Sequence, residues 1–503
     1  MPLRPHQEEP AKRLKEILGR FGSGVDFSGT GTGKTYVSAW VASESKLPTL
    51  VIHPKVARTA WANAAEVFGD KFSQVGYEML RTGNTPFGKW EGGTAKRERY
   101  FRCQCCQRVV NLEKFIPCYC HPLGIHCLET KTKPHDYGRF IFHPAVKQVI
   151  FDEGHRCGGI DSLNADMLIA AKRQGLRTLV LTATAGCNPL NFRALGYLLD
   201  MHNLDTDLIQ SCAAPGMGPL RSRVRPNFYR WASKLGVRRD PRFRGLKWLV
   251  GKEEQAEIML GLREQIIPSR GVRVRSEDIP GFPACDIQAE LYDVTSPEVF
   301  DKLYEQVREA QEALKLRKLD DVAPDSPLTK ILRARQEIEL LKVPIAAELG
   351  QDYLDKGFSL VLFVNFRQTI DELVKLFPAA RIIDGTPESL RYREESVALF
   401  QRNMLNTLIV NAAAGGECLS MQDLDGEHPR AGLVMPNHSA TSMRQLFGRL
   451  PRDGGKSTAI YRVMLAAGTI ETNIHRALRT KLNNLDALND ADLNPGNLVL
   501  SVR

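Results

Sequence analysis

Through the first two hundred residues, short apolar runs alternate with longer segments whose apolar positions recur at helical spacing. Residues 8–20 set Ala11, Leu14, Ile17 and Leu18 among charged neighbours and predict an amphipathic helix. A short apolar lead-in at 24–27 is followed by a glycine-rich turn, and residues 36–42, free of Pro and Gly, read as a helix. Residues 48–54 form a β-branched run stopped by Pro54, after which a helix carries Trp61. The same rhythm resumes at 146–155 and 178–184, where apolar strands end in polar residues. Strand and helix in alternation predict a parallel sheet covered by helices, with chemistry at the carboxyl ends of the strands.

From 200 to 350 the rhythm stops and the chain becomes helical and basic, with amphipathic helices at 303–316 and 328–341 broken by the proline-bearing stretch 322–327. Four apolar runs at 358–364, 381–385, 407–410 and 432–436 then predict a second parallel-sheet region. The expected organisation is a first lobe over 1–205 with a small module inserted at 95–135. A basic helical linker over 206–350, a second lobe over 351–485 and a tail over 486–503 complete it.

A chain of 503 residues is too long for one core. With 43% hydrophobic and 25% charged residues it has the composition of a folded protein. Lys plus Arg number 68 against 58 acidic residues, a surplus of ten that suits an anionic partner, nucleic acid first among them. The N-terminal residues form no apolar signal segment, and no run of about 18 apolar residues suggests a membrane span. The expectation is an intracellular, cytoplasmic protein with no membrane partner.

Ser28-Gly29-Thr30-Gly31-Thr32-Gly33-Lys34-Thr35 lies between the predicted strand and helix, which is the context a phosphate-binding loop requires. Gly31, Thr32 and Gly33 would let backbone N–H groups approach phosphate, Lys34 would reach the β and γ phosphates, and the Thr35 hydroxyl would hold Mg²⁺. Ser28 stands where the simple pattern has Gly. Downstream, Asp152 can bind Mg²⁺ through water, and Glu153 can orient or deprotonate an attacking water. In Gln445-Leu446-Phe447-Gly448-Arg449-Leu450-Pro451-Arg452, two arginines three apart could reach across a cleft and stabilise a transferring phosphoryl group.

Of eleven cysteines, six fall between 103 and 127. Cys103, Cys106, Cys118 and His121 have the spacing of a structural zinc site, with Cys120, Cys127 or Cys105 as substitutes. Buried or redox-active thiols are the other reading. The basic stretch from Arg221 to Lys247 interleaves Phe228, Tyr229, Trp231, Phe243 and Trp248. It suits nucleic-acid backbone contact with stacking, or charged helices with an aromatic core face.

Taken together, the motifs resemble those of superfamily 2 helicases and translocases, and among them the Swi/Snf-type DNA-dependent ATPases. Residues 3–7 are similar to that family's adenine-recognising segment, which implies base contacts from Gln7 and Arg4. Residues 28–35 match motif I, in which a small residue at the first position is usual, and Asp152-Glu153-Gly154-His155 is a DEAH-like motif II. Residues 182–188 resemble motif III, with Ala185 in the place of a customary Pro. Residues 411–419, including Gly416, look like motif V, and 445–452 are motif VI. The resemblance implies an α/β fold of two RecA-like parallel-sheet lobes, here with a helical insertion and a zinc module. It also implies ATP and Mg²⁺ in the cleft between lobes, with Glu153 activating water and Lys34, Arg449 and Arg452 catalytic.

The implied activity is a monomeric DNA translocase acting on duplex or branched DNA, with single strands also possible, in replication, recombination or repair. Absence of chromatin-reading extensions points to a bacterial or viral setting. A conventional strand-separating helicase on DNA or RNA is the second expectation. A nucleotide-gated nucleic-acid clamp is the third.

Overall fold

The computed structural model describes residues 3–69, 72–83, 85–103, 109–110, 126–183, 186–204, 227–239, 245–293, 297–316, 327–412, 419–436, 440–467, 471 and 500–502, with the backbone alone given over most of 94–137. Two parallel sheets organise it. The first contains β1 (Ser23–Asp26), β2 (Thr49–His53), β3 (Phe72–Gly76), β7 (Gln148–Phe151), β8 (Arg177–Leu181) and β11 (Gly271–Val272) in the order β11-β1-β8-β7-β2-β3. Every position of β1, β2 and β7 is buried, and in β2 and β7 burial on both faces shows as a nearly continuous apolar run. Helix Pro5–Phe21 lays Ala11, Leu14, Ile17 and Leu18 on one face of this sheet, against Val37, Val41 and Trp61.

Between β3 and β7 the chain runs out and back as an antiparallel arm. Its strands are β4 (Gly88–Cys103) and β6 (His126–Phe142), with the short β5 (Val109–Val110) beside β4. Of the expected inserted module, residues 95–103 and 126–135 belong to these two strands. The ladder pairs Cys103 with His126 at its outer end. The side chains of Cys103 and Cys127 and all of Cys105, Cys106, Cys118, Cys120 and His121 lie outside the described residues.

The second sheet contains β12 (Cys285–Tyr292), β13 (Ser359–Val364), β14 (Arg381–Ile383), β15 (Thr407–Asn411), β16 (Arg430–Val434), β17 (Ala459–Ala466) and β18 (Leu500–Val502). It is all parallel, in the order β14-β15-β13-β16-β17-β12-β18. Helices Pro297–Leu316 and Pro327–Leu340 pack as a hairpin through Phe300, Leu303, Val307, Ile331 and Ala334.

Sheet membership departs from the expected boundaries at 205 and 350. The two-residue β11, parallel to β1, belongs to the first lobe, and a small hairpin of β9 (Val237–Arg239) and β10 (Leu246–Trp248) precedes it. β12, inside the supposed helical linker, belongs to the second sheet, and the lobes join at 273–284. Two residues are too few to carry a periodicity, whereas β12 alternates Cys285, Ile287, Ala289 and Leu291 with Asp286, Gln288 and Glu290, a two-residue period that does mark a strand.

The basic stretch resolves likewise. Phe228, Trp231 and Trp248 pack in the first lobe's core, the first two around His202, while Tyr229 is exposed. The aromatic core face therefore describes these three residues. Arg221, Arg223, Arg225, Arg242, Phe243 and Arg244 lie outside the described residues.

Candidate nucleotide cleft

β1 ends at the buried Asp26, and the chain turns at once into the glycine-rich loop. Asp26 Oδ1 accepts from Ser28 N at 2.8 Å, while Ser28 Oγ accepts from Val274 N at 2.9 Å. Gly29 N donates to Val274 O at 2.9 Å, so the loop is braced against the segment that follows β11. Ser28 therefore holds the loop through a bond that glycine could not make. Gly31 and Gly33 have φ of 80° and 90°, the left-handed region that a side chain strains to occupy. Thr32 Oγ1 donates to Gly29 O at 2.9 Å.

Lys34 opens helix Lys34–Ser45 and folds back, its Nζ donating to Ser28 O at 2.8 Å and Gly29 O at 2.7 Å. Burial lowers the Lys34 pKa, and the carboxylates of Asp26, Glu153 and Asp152 oppose that shift. Burial likewise raises Asp26, against the pull of Lys34. A partly buried ammonium held by backbone carbonyls at the N-terminus of a helix is suited to a phosphate anion.

Asp152 and Glu153 follow β7. Asp152 Oδ2 accepts from Trp61 Nε1 at 2.8 Å and Oδ1 from Glu153 N at 2.9 Å, and Tyr77 Oη donates to Asp152 O at 2.8 Å. Burial, then the charge of Glu153, pushes Asp152 up. For Glu153 burial acts upward, but the hydrogen bond and charge of His155, with Lys34 and Arg449, hold it low. One carboxylate of the pair thus stays ionised beside the other. Glu153 has φ of 52°, an uncommon backbone for a side-chain-bearing residue. Asp152 and Thr35 are the residues that could offer Mg²⁺ the hard oxygens it takes.

The second lobe completes the cleft. Gln445, on helix Ala440–Phe447, donates Nε2 to Glu153 Oε2 at 3.2 Å and lies 3.3 Å from both ring nitrogens of His155. Arg449 is buried. Arg452 packs on the loop so closely that a Cβ on Gly31 would lie 3.0 Å from its Cγ, and Asp453 N donates to Gly31 O at 3.4 Å. Arg4 pairs with Asp453, and His6 Nε2 lies 3.2 Å from Thr32 O and 3.6 Å from Asp453 Oδ2. Gln7 is buried, its Oε1 accepting from Arg4 N at 3.1 Å and its Nε2 donating to Thr32 O at 3.2 Å.

The fold therefore brings Arg4, Gln7, Gly31, Thr32, Gly33, Lys34, Thr35, Asp152, Glu153, Arg449 and Arg452 to one cleft. Gly416, Thr184 and Ala185 lie outside the described residues. Asp26 and Asp453 are cleft residues with no motif signal of their own. Asp26 could have been suspected from a lone acid inside an apolar strand.

No family model matches the chain. It is 29% identical over 499 residues, 97% of its own length and 84% of the other's, to L364 of Acanthamoeba polyphaga mimivirus, named as a candidate ATP-dependent RNA helicase. Among solved structures it is similar to S. cerevisiae Dbp5 bound to RNA and ADP BeF3, with TM-score 0.44 and 11% identity over 99% of this chain and 98% of that one. Among the described residues no helix is long and apolar enough to cross a membrane.

Proposed function

We propose that the chain is an ATP-driven motor of the superfamily 2 type, which couples nucleotide hydrolysis in the cleft to movement along nucleic acid. The chain is a nucleic-acid-dependent ATPase, as relatedness to a helicase along almost its whole length supports. The observation that carries the motor reading is that Gln445 of one lobe is hydrogen-bonded to Glu153 of the other. A site divided between two lobes is sensitive to their separation, so closing and opening can be coupled to catalysis.

Lys34, Thr35 and Asp152 would hold MgATP, which supplies the phosphoryl group and its countercharge. Glu153 would take the proton of an attacking water. Gln445 and His155 fix its carboxylate. Arg449 and Arg452 bring positive charge from the second lobe. Gln7 and Arg4 would meet the base, and Asp453 ties that segment to the arginines.

For the track, the Swi/Snf-like motifs favour duplex or branched DNA, and the viral relative's name favours RNA as the second reading. We retain zinc as a proposal on the cysteine spacing alone. ATPase rate measured against single-stranded, duplex, forked and four-way DNA and against RNA tests the reading. Strongest stimulation by duplex or branched DNA is expected. Stimulation by RNA alone would replace the DNA track with the second reading, and no stimulation by any nucleic acid would refute the motor.

A further inference from the structure

The second lobe holds a cavity of about 200 Å³ away from the nucleotide cleft. It lies between the helical hairpin of 297–340 and the carboxyl ends of β13 and β16, with Arg335, Tyr304, Phe366 and Pro436 in its wall. In parallel sheets that end of the strands is where ligands are received. Four charged side chains face the cavity, and three are already satisfied.

Lys342 is ion-paired to Glu471, both fully buried, and Glu471 also accepts from Tyr304 Oη at 2.7 Å and Ala466 N at 2.6 Å. Glu339 Oε1 accepts from Asn365 N at 2.9 Å and Phe366 N at 3.1 Å, and Oε2 accepts from Asn365 Nδ2 at 2.7 Å. That carboxylate fills the anion-seeking turn after β13 from within. Arg335 is the exception. Its half-buried guanidinium has no hydrogen bond or ion pair among the described residues, and its Nε is fully buried and unsatisfied. Burying such a group unpaired is unfavourable, and a planar fork of donors is complementary to a phosphate or carboxylate.

We propose that this cavity binds one phosphate group, with Arg335 as its cation. The phosphate is either a backbone phosphate of the nucleic-acid strand, which rests on the motor reading above, or a free phosphate.

The full chain is compared with its Arg335→Gln and Arg335→Lys variants in phosphate-free buffer. In the first arm, binding of labelled single-stranded and duplex oligonucleotides is measured across a salt series. Arg335→Gln is expected to weaken binding about tenfold and lower the slope of log K against log salt by about one contact, while Arg335→Lys falls between. In the second arm, the thermal midpoint is followed as inorganic phosphate is added. A rise in wild type that is absent in Arg335→Gln, with nucleic-acid binding unchanged, identifies the free source. Because the guanidinium has no partner to lose, the midpoint of Arg335→Gln without phosphate is expected to equal or exceed wild type. A lower midpoint there would mean an internal structural role and overturn the proposal, as would wild-type behaviour of Arg335→Gln in both arms. Should no nucleic acid bind even wild type, the motor reading fails and the phosphate arm alone decides the cavity.

Discussion

Gly448 sits where helix Ala440–Phe447 delivers the second lobe onto the loop of the first. A Cβ at this position would lie 1.7 Å from Thr30 Oγ1, 2.4 Å from Thr30 Cβ and 3.1 Å from Thr30 Cγ2. Non-bonded carbons settle at about 3.5 Å, so rotating Thr30 can clear its hydroxyl but leaves an overlap of about 1 Å at its Cβ. That overlap is relieved by parting the lobes, because both residues are anchored to their own sheets. A misplacement of about 1 Å in a positioned catalytic group costs on the order of 10²-fold. Gly448→Ala is therefore expected to lower steady-state ATPase turnover about a hundredfold at saturating ATP and nucleic acid. The thermal midpoint should be nearly unchanged, since neither core is touched. Thr30→Gly removes the opposing Cβ, and in the double variant the two effects should be strongly non-additive, recovering at least tenfold. Wild-type turnover in Gly448→Ala, or a double variant no better than the product of the singles, would refute a cleft that works by this closure.

Lys34→Ala is expected to abolish nucleic-acid-stimulated ATP hydrolysis, measured by phosphate release, and retained hydrolysis would refute the assigned loop. Arg430 is buried in the second lobe, donating to Phe400 O at 2.9 Å and Asn403 Oδ1 at 2.8 Å, with the buried Asp423 3.8 Å away. Arg430→Ala strands the buried carbonyls of Phe400 and Met421, while Asp423 keeps its bonds from Asn403, Asp425 N and His428 N, so a loss of about 3 kcal/mol is expected in urea unfolding. His202 is buried against Phe228 and Trp231, and burial lowers its pKa below the ordinary value. The unfolded chain then binds more protons near and below pH of roughly 6.5, so stability should fall as pH drops through that value. His202→Gln should flatten this part of the profile in pH-dependent unfolding, and an unchanged slope would exclude His202 as its source.

What the sequence could disclose was set by how local each signal is. The glycine-rich loop, Asp152-Glu153 and the two arginines of 449–452 are contiguous patterns whose chemistry dictates their spacing, and the fold places all of them at one cleft. Strands such as β2 and β13 are legible because burial on both faces forces uninterrupted apolar runs. The two-residue β11 is not legible, yet the bond from Val274 to Ser28 just beyond it braces the whole loop. That brace is a contact across 246 residues, and nothing in the neighbourhood of Val274 announces it. The same holds at Asp453, an unremarkable acid in a turn until the lobes meet and Arg4 and His6 reach it. It also explains Gly448, which in the chain is one glycine of forty but in the cleft is the point where Thr30 leaves no room for a side chain. Groups that perform chemistry must carry particular side chains and so mark the sequence. Groups that only set the distance between lobes need the right volume at the right place, and volume becomes a constraint only once the opposing surface is known.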